Sequence, residues 1–124
     1  MDDCYCDFGE PASFYTKRLV AKARRAHRCN ECGNQVRPGE SYERVTGVWD
    51  GDLSTFCTCQ KCLSLREAVT ECVPCFCWRH GDMLNDAIET VQHYEWDLRG
   101  TGDWFRLGRL GVAIRRGRKN HAGN

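Results

Sequence analysis

A chain of 124 residues, 41% hydrophobic and 28% charged with a mean hydropathy of −0.61, fits one hydrophobic core, and a second independent domain is not expected. No run approaches the ~18 apolar residues of a membrane span, and the acidic opening Met1-Asp2-Asp3 lacks the basic and then apolar pattern of a secretory signal. The expected setting is therefore a cytoplasm, where ten cysteines point to metal rather than to disulfides.

The net charge of +1 hides segregation. Residues 1–16 carry four acids and no base, and residues 17–28 carry six bases and no acid. Thirteen acids face six bases over residues 29–103, and residues 104–124 return six bases and no acid. Two basic segments thus flank an acidic middle, a distribution that suits a nucleic-acid or acidic-protein surface.

In chain order, Cys4 and Cys6 come first, and residues 7–16, with Gly9, Pro11 and Ser13, read as an irregular lead-in. Residues 17–28 fit neither a helical nor a strand period. Cys29-Asn30-Glu31-Cys32-Gly33 reads as a tight turn carrying two metal ligands. Pro38-Gly39 marks a turn, and residues 41–49 hold the strand formers Tyr42, Val45, Thr46, Val48 and Trp49. Asp50-Gly51 predicts a type I′ hairpin turn, with residues 53–56 returning as the next strand.

The stretch 59–70 predicts a helix that Pro74 stops. A second helix is predicted over residues 82–98, where Leu84, Ala87, Ile88, Val91 and Leu98 recur at helical spacing and Asp82 can cap the start. Gly100 and Gly102 end it. The fold class is a small zinc-stabilised α+β domain over residues 1–98: a treble-clef-like knuckle, β-hairpin and helix, plus a C-terminal helix. Residues 99–124 are expected as a basic C-terminal arm or last strand.

A structural zinc takes four tetrahedral thiolate or imidazole ligands, and cysteines separated by two residues reach one ion from a tight turn. Cys29, Cys32, Cys59 and Cys62 meet that requirement, the second pair at a predicted helix N-terminus whose free N–H groups favour anionic sulfur. A second zinc is expected at Cys4, Cys6, Cys75 and Cys77, with Cys72 and His80 as rival donors and Cys57 left spare.

Cys4-x-Cys6-Asp7-Phe8-Gly9-Glu10-Pro11, His27-Arg28-Cys29-x-Glu31-Cys32-Gly33, Pro38-Gly39-Glu40-x-Tyr42-Glu43-Arg44, Trp49-Asp50-Gly51, Thr58-Cys59-x-x-Cys62 and Cys75-Phe76-Cys77-Trp78-x-His80-Gly81 together resemble a group of small zinc-binding proteins encoded by bacteriophages and prophages. The resemblance covers residues 4–98. It implies a metal-stabilised fold, a bacterial host cytoplasm, and by analogy a host-interaction or anti-defence role, with no activity attached.

Catalysis is not expected. A His-Asn-His nuclease on a treble clef needs a histidine base on the hairpin and another on the helix, yet His27, His80, His93 and His121 all lie outside residues 35–70. Two binding readings follow. In one, a host protein docks on the acidic face or on aromatics such as Trp49 and Trp78; the near-zero net charge favours this one. In the other, nucleic-acid phosphates are held by Lys17, Arg18, Lys22, Arg24, Arg25 and Arg28 and by Arg106, Arg109, Arg115, Arg116, Arg118 and Lys119, with Trp104 or Phe105 stacking on bases.

Overall fold

The structure, a computed structural model, describes residues 12–122, with side chains described through residue 116. The elements are β1 (Phe14–Val20), β2 (His27–Arg28), β3 (Gln35–Val36), β4 (Tyr42–Trp49), β5 (Asp52–Cys59), α1 (Gln60–Cys72), α2 (Met83–His93), α3 (Glu95–Leu98) and α4 (Gly102–Ala122). They make a small α+β fold: a three-stranded antiparallel sheet in the order β1-β4-β5, a two-stranded β2-β3 ribbon, and helix α1 against the larger sheet with α2 and α4 packed on α1.

The hairpin follows its turn chemistry. Asp50 and Gly51 adopt φ of 51° and 81°, the two positive values a type I′ turn needs, and this fixes the register from Trp49 opposite Asp52 to Tyr42 opposite Cys59. β1 then pairs along the free edge of β4, Phe14 opposite Val48 and Val20 opposite Tyr42. Residues 17–28, which fit neither period, are therefore half edge strand and half loop. Six of the seven β1 residues are exposed, so the strand carries no alternation of buried and polar positions to read.

Side-chain alternation gives the sheet two unlike faces. On one face Glu43, Val45, Gly47 and Thr58 are buried. Arg66 of α1 reaches down to it, donating to the Glu43 carboxylate at 3.0 and 2.5 Å. The opposite face carries Phe14, Thr16 and Arg18 of β1, Arg44, Thr46 and Val48 of β4, and Leu53, Thr55 and Cys57 of β5; Thr46, Val48 and Cys57 are half-buried and the other six exposed, and the face ends at Tyr42 and Cys59, which are buried.

An aromatic group extends the covered face. Trp49 folds back over Gly47, where a Cβ would lie 2.6 Å from its ring, and meets Tyr15 and Phe56 edge-on. His80 stacks on Phe56 with centroids 5.2 Å apart and stands edge-on to Trp78. The Arg66 guanidinium lies 4.5 Å over the Trp78 ring, a cation–π contact that adds to its ion pair.

Two expectations about the helices are corrected. The run predicted as one helix over residues 82–98 is α2 and α3, broken at Tyr94 (φ −100°, ψ 18°), and Asp82 makes no side-chain capping bond. The segment expected as a basic arm or last strand is helix α4, which buries Leu107 and Ile114 in the core beside Leu65 and Val69 of α1. Leu107 and Ile114 stand seven residues apart on one stripe, with Trp104 and Leu110 half-buried alongside. That burial outweighs the roughly 1 kcal/mol that each of Gly108 and Gly111 costs inside a helix.

Candidate metal centre

The ribbon β2-β3 brackets the knuckle. Its register, His27 opposite Val36 and Arg28 opposite Gln35, brings the chain round so that Gly33 N–H donates to Cys29 C=O at 3.0 Å. Gly33 holds φ 78°, the left-handed conformation that lets the turn continue past the second sulfur without a side chain in the way. Tyr42 backs the ribbon, with its hydroxyl 3.3 Å from His27 Nε2.

The other two cysteines arrive where β5 becomes α1. Cys59 is the residue before the helix and Cys62 lies in its first turn. All four cysteines are buried, and their sulfurs lie within 4.8 Å of one another. Cys29 and Cys62 sulfurs are 3.8 Å apart, and Cys32 and Cys59 sulfurs 3.6 Å. A tetrahedron with zinc–sulfur bonds of about 2.3 Å has edges of about 3.8 Å. The donor set, its spacing and its burial fit one zinc ion, with every coordination position filled by sulfur.

Backbone donors surround the sulfurs as such a site needs. Asn34 N–H points at Cys32 Sγ at 3.4 Å, and Cys59 N–H at Cys29 Sγ at 3.3 Å. Four thiols this close share protons unequally. Hydrogen bonds, first from Cys32 and then from Cys59 and Cys62, hold the Cys29 thiol far below its ordinary range. Cys32 comes down to about 7, the upward push of Cys29 being outweighed by Cys59 and Cys62. The same contacts, led by Cys29, push Cys59 and Cys62 up. A dication removes the conflict, because it allows all four sulfurs to be anionic at once.

The residues between and beside the ligands tie the knuckle to three other elements. Asn30 N–H donates to Cys57 C=O at 2.8 Å, and its side-chain oxygen accepts from Cys57 N–H at 2.6 Å. The Glu31 carboxylate accepts from Gly81 N–H at 2.9 Å and Met83 N–H at 3.1 Å, and so supplies the start of α2 with the acceptor that Asp82 does not. Burial pushes this carboxyl up in spite of those two donors. Asn34 Nδ2 donates to Ile114 C=O of α4 at 3.5 Å.

The second expected cluster is not assembled among the described residues. Cys4 and Cys6 lie outside them. Cys75 and Cys77 have sulfurs 3.7 Å apart, two of the four expected ligands side by side. Of the rival donors, Cys72 faces α4, where burial and then Asp103 push its thiol up. His80 sits in the aromatic group, with Nε2 3.3 Å from the Tyr15 hydroxyl and Nδ1 buried without a partner among the described residues. Cys57, expected to be spare, is a free half-buried thiol raised by burial.

The expected binding residues divide. Lys17, Arg18, Lys22, Arg24, Arg25 and Arg28 are exposed along β1, the following loop and β2, and none forms an ion pair with another described residue. Arg106 is occupied, its guanidinium 3.0 Å from Glu71 of α1. Arg109, Arg115 and Arg116 are exposed on α4; the side chains of Arg118 and Lys119 lie outside those described. Trp49 and Trp78, expected as docking aromatics, are half-buried in the group around His80. Trp104 packs against the core, which leaves Phe105 exposed.

Among the described residues no helix is long and apolar enough to cross a membrane. Comparison with protein-family models, with curated proteins and with solved structures finds no match to this chain.

Proposed function

We propose that this protein is a non-enzymatic interaction module in which one structural zinc, held by Cys29, Cys32, Cys59 and Cys62, organises a surface for a polyanionic partner. The observation that carries the reading is the filled coordination set: four buried sulfurs within 4.8 Å leave no position for a metal-bound water, which hydrolytic zinc chemistry requires. The order of knuckle, hairpin and helix supports a treble-clef-like architecture. No histidine stands on the hairpin or on α1 to act as a nuclease base.

Nucleic acid is favoured as the partner, although the net charge by itself leans the other way. The six bases of residues 17–28 are exposed and unpaired among the described residues, while the two tryptophans expected for protein docking are engaged in packing. A host protein, bound as part of a phage anti-defence or takeover role, is the second reading; Trp96, 87% exposed, supports it as an anchor.

Metal analysis and a pull-down from bacterial lysate test both levels. One zinc per chain is expected; two would bring Cys75 and Cys77 with Cys4 and Cys6 into a second site, and none would remove the reading. Capture that disappears on nuclease treatment supports nucleic acid, and capture that survives it supports the host-protein reading. Plasmid cleavage with added magnesium or manganese would overturn the non-enzymatic assignment.

A further inference from the structure

The open face of the β1-β4-β5 sheet carries three rows of side chains in register: Phe14, Val48 and Leu53; Thr16, Thr46 and Thr55; and Arg18, Arg44 and Cys57. We propose that this face is a binding platform for single-stranded nucleic acid. The proposal rests on the polyanion-binding reading above and assigns it to a surface that the basic segments alone do not define.

Charge is the first argument. Arg18 and Arg44 stand directly opposite each other in the β1-β4 register, a like-charge pair that weakens a sheet. None of the nine residues is acidic, and neither arginine pairs with another described residue. The acids of these strands are elsewhere: Glu43 is buried on the opposite face under Arg66, and Asp52 lies at the hairpin end. Two cations held side by side on a face that carries no acid among the described residues are suited to successive phosphates of one strand.

The remaining rows supply what a single strand offers besides phosphate. The Thr46 and Thr55 hydroxyls are 3.2 Å apart, and the Thr16 hydroxyl donates to Thr46 C=O at 3.4 Å. This polar band presents hydroxyl oxygens to sugars and base edges. At the far end Phe14 is 52% and Leu53 70% exposed, an aromatic ring and an apolar neighbour on which an unstacked base can lie. Rows on one face of a strand repeat about every 6.8 Å, so phosphate, hydroxyl and stacking positions are laid out in sequence along the strands. Stacking on Phe14 needs a base free of its own stack, which a single strand offers and a closed duplex does not, hence the preference for single strands.

The α4 bases belong to a different surface. α4 packs on α1, and α1 covers the sheet's other face through Arg66 and Glu43. Arg115 and Arg116 are therefore a control for charge without the platform.

The test uses the full zinc-loaded chain and a labelled mixed-sequence oligonucleotide as single-stranded DNA, as single-stranded RNA and as duplex DNA, titrated across salt. Expected is tighter binding to a single strand than to the duplex. Replacing Arg18 and Arg44 together by alanine should make the log-affinity against log-salt slope shallower by about 1.4, from ~0.7 for each lost phosphate contact. Phe14→Ala should weaken binding roughly 5- to 140-fold. The Arg115→Ala, Arg116→Ala double variant, which removes the same amount of charge, should lose less affinity than the Arg18/Arg44 variant.

Arg44→Thr separates binding from folding: it relieves the opposed charges, so its melting temperature should be unchanged or higher while affinity falls. A duplex preference, unchanged binding in the Arg18/Arg44 variant, or a loss confined to the α4 variant would overturn the platform and leave the polyanion reading standing. Absence of binding to any of the three probes at low salt would overturn both. Concentration-dependent dimers lost with Phe14→Ala would reassign the face to a second copy of the chain and overturn the platform.

Discussion

At the scale of single residues, the ion pair between Glu43 and Arg66 ties α1 to the sheet. The Glu43 side chain is 2% exposed and that of Arg66 15%, so removing the charge on Glu43 leaves a guanidinium held over Trp78 without its counter-ion. Breaking one partner of a buried pair costs about 3–5 kcal/mol, and Glu43→Gln is expected near the lower end because Arg66 keeps some access to water. Chemical denaturation of the zinc-loaded protein measures this; a loss below about 1 kcal/mol would place the pair with surface ion pairs.

His80 gives a pH dependence of definite sign. Burial among Phe56, Trp78 and Tyr15 lowers its pKa from 6.5, with Glu43 pulling up and Arg66 and Lys17 pushing down. The folded state therefore binds this proton less readily than the unfolded chain does. Its contribution to stability is whole above about pH 6.5 and is lost as pH falls through that value toward the lower folded pKa. His80→Phe keeps the stack on Phe56 and removes the proton site. Its melting temperature should fall less than the wild type's between pH 6.5 and 5.5, and parallel curves would count against the assignment.

Among the elements, the knuckle is a hub as well as a ligand turn. Its bonds run from Asn30 to β5, from Glu31 to the start of α2 and from Asn34 to α4. Glu31 stands in for the capping residue that α2 lacks, and an N-terminal cap is worth ~1 kcal/mol. Glu31→Ala is expected to speed amide exchange in the first turns of α2 by about fivefold while zinc content stays at one per chain. Equal acceleration in α1 and α2 would show global loosening in place of a lost cap.

For the whole molecule, the metal ligands are part of the core. Cys29, Cys32, Cys59 and Cys62 cluster with Val36, Tyr42, Leu65 and Val69, and on the sheet face that Tyr42 and Cys59 share with Arg44 the other positions are exposed or half-buried. Structural zinc contributes on the order of 10 kcal/mol to folding in small zinc domains, comparable with the whole stability of a domain this size. Chelation should therefore unfold the chain cooperatively, followed by loss of tertiary circular dichroism and recovered on adding zinc. Retention of native dispersion in the chelated protein would mean that the helices and sheet hold without the metal.

The sequence by itself determined the features that are written locally. Two Cys-x-x-Cys spacings, a glycine after the first, an Asp-Gly turn between strand formers and a proline after α1 each constrain a few adjacent residues. The four ligands, the hairpin and α1 stand where those signals put them. Only the tertiary structure decided the rest. β1 is an exposed edge strand, held by its pairing to β4, and its own pattern carries no period. α4 is helical because α1 offers an apolar surface that outweighs the glycines. The cap of α2 comes from a residue 52 positions away, and the paired arginines share one sheet face only once register sets Arg18 beside Arg44. Contacts between distant residues form from shape and burial, and they leave no local spacing to read.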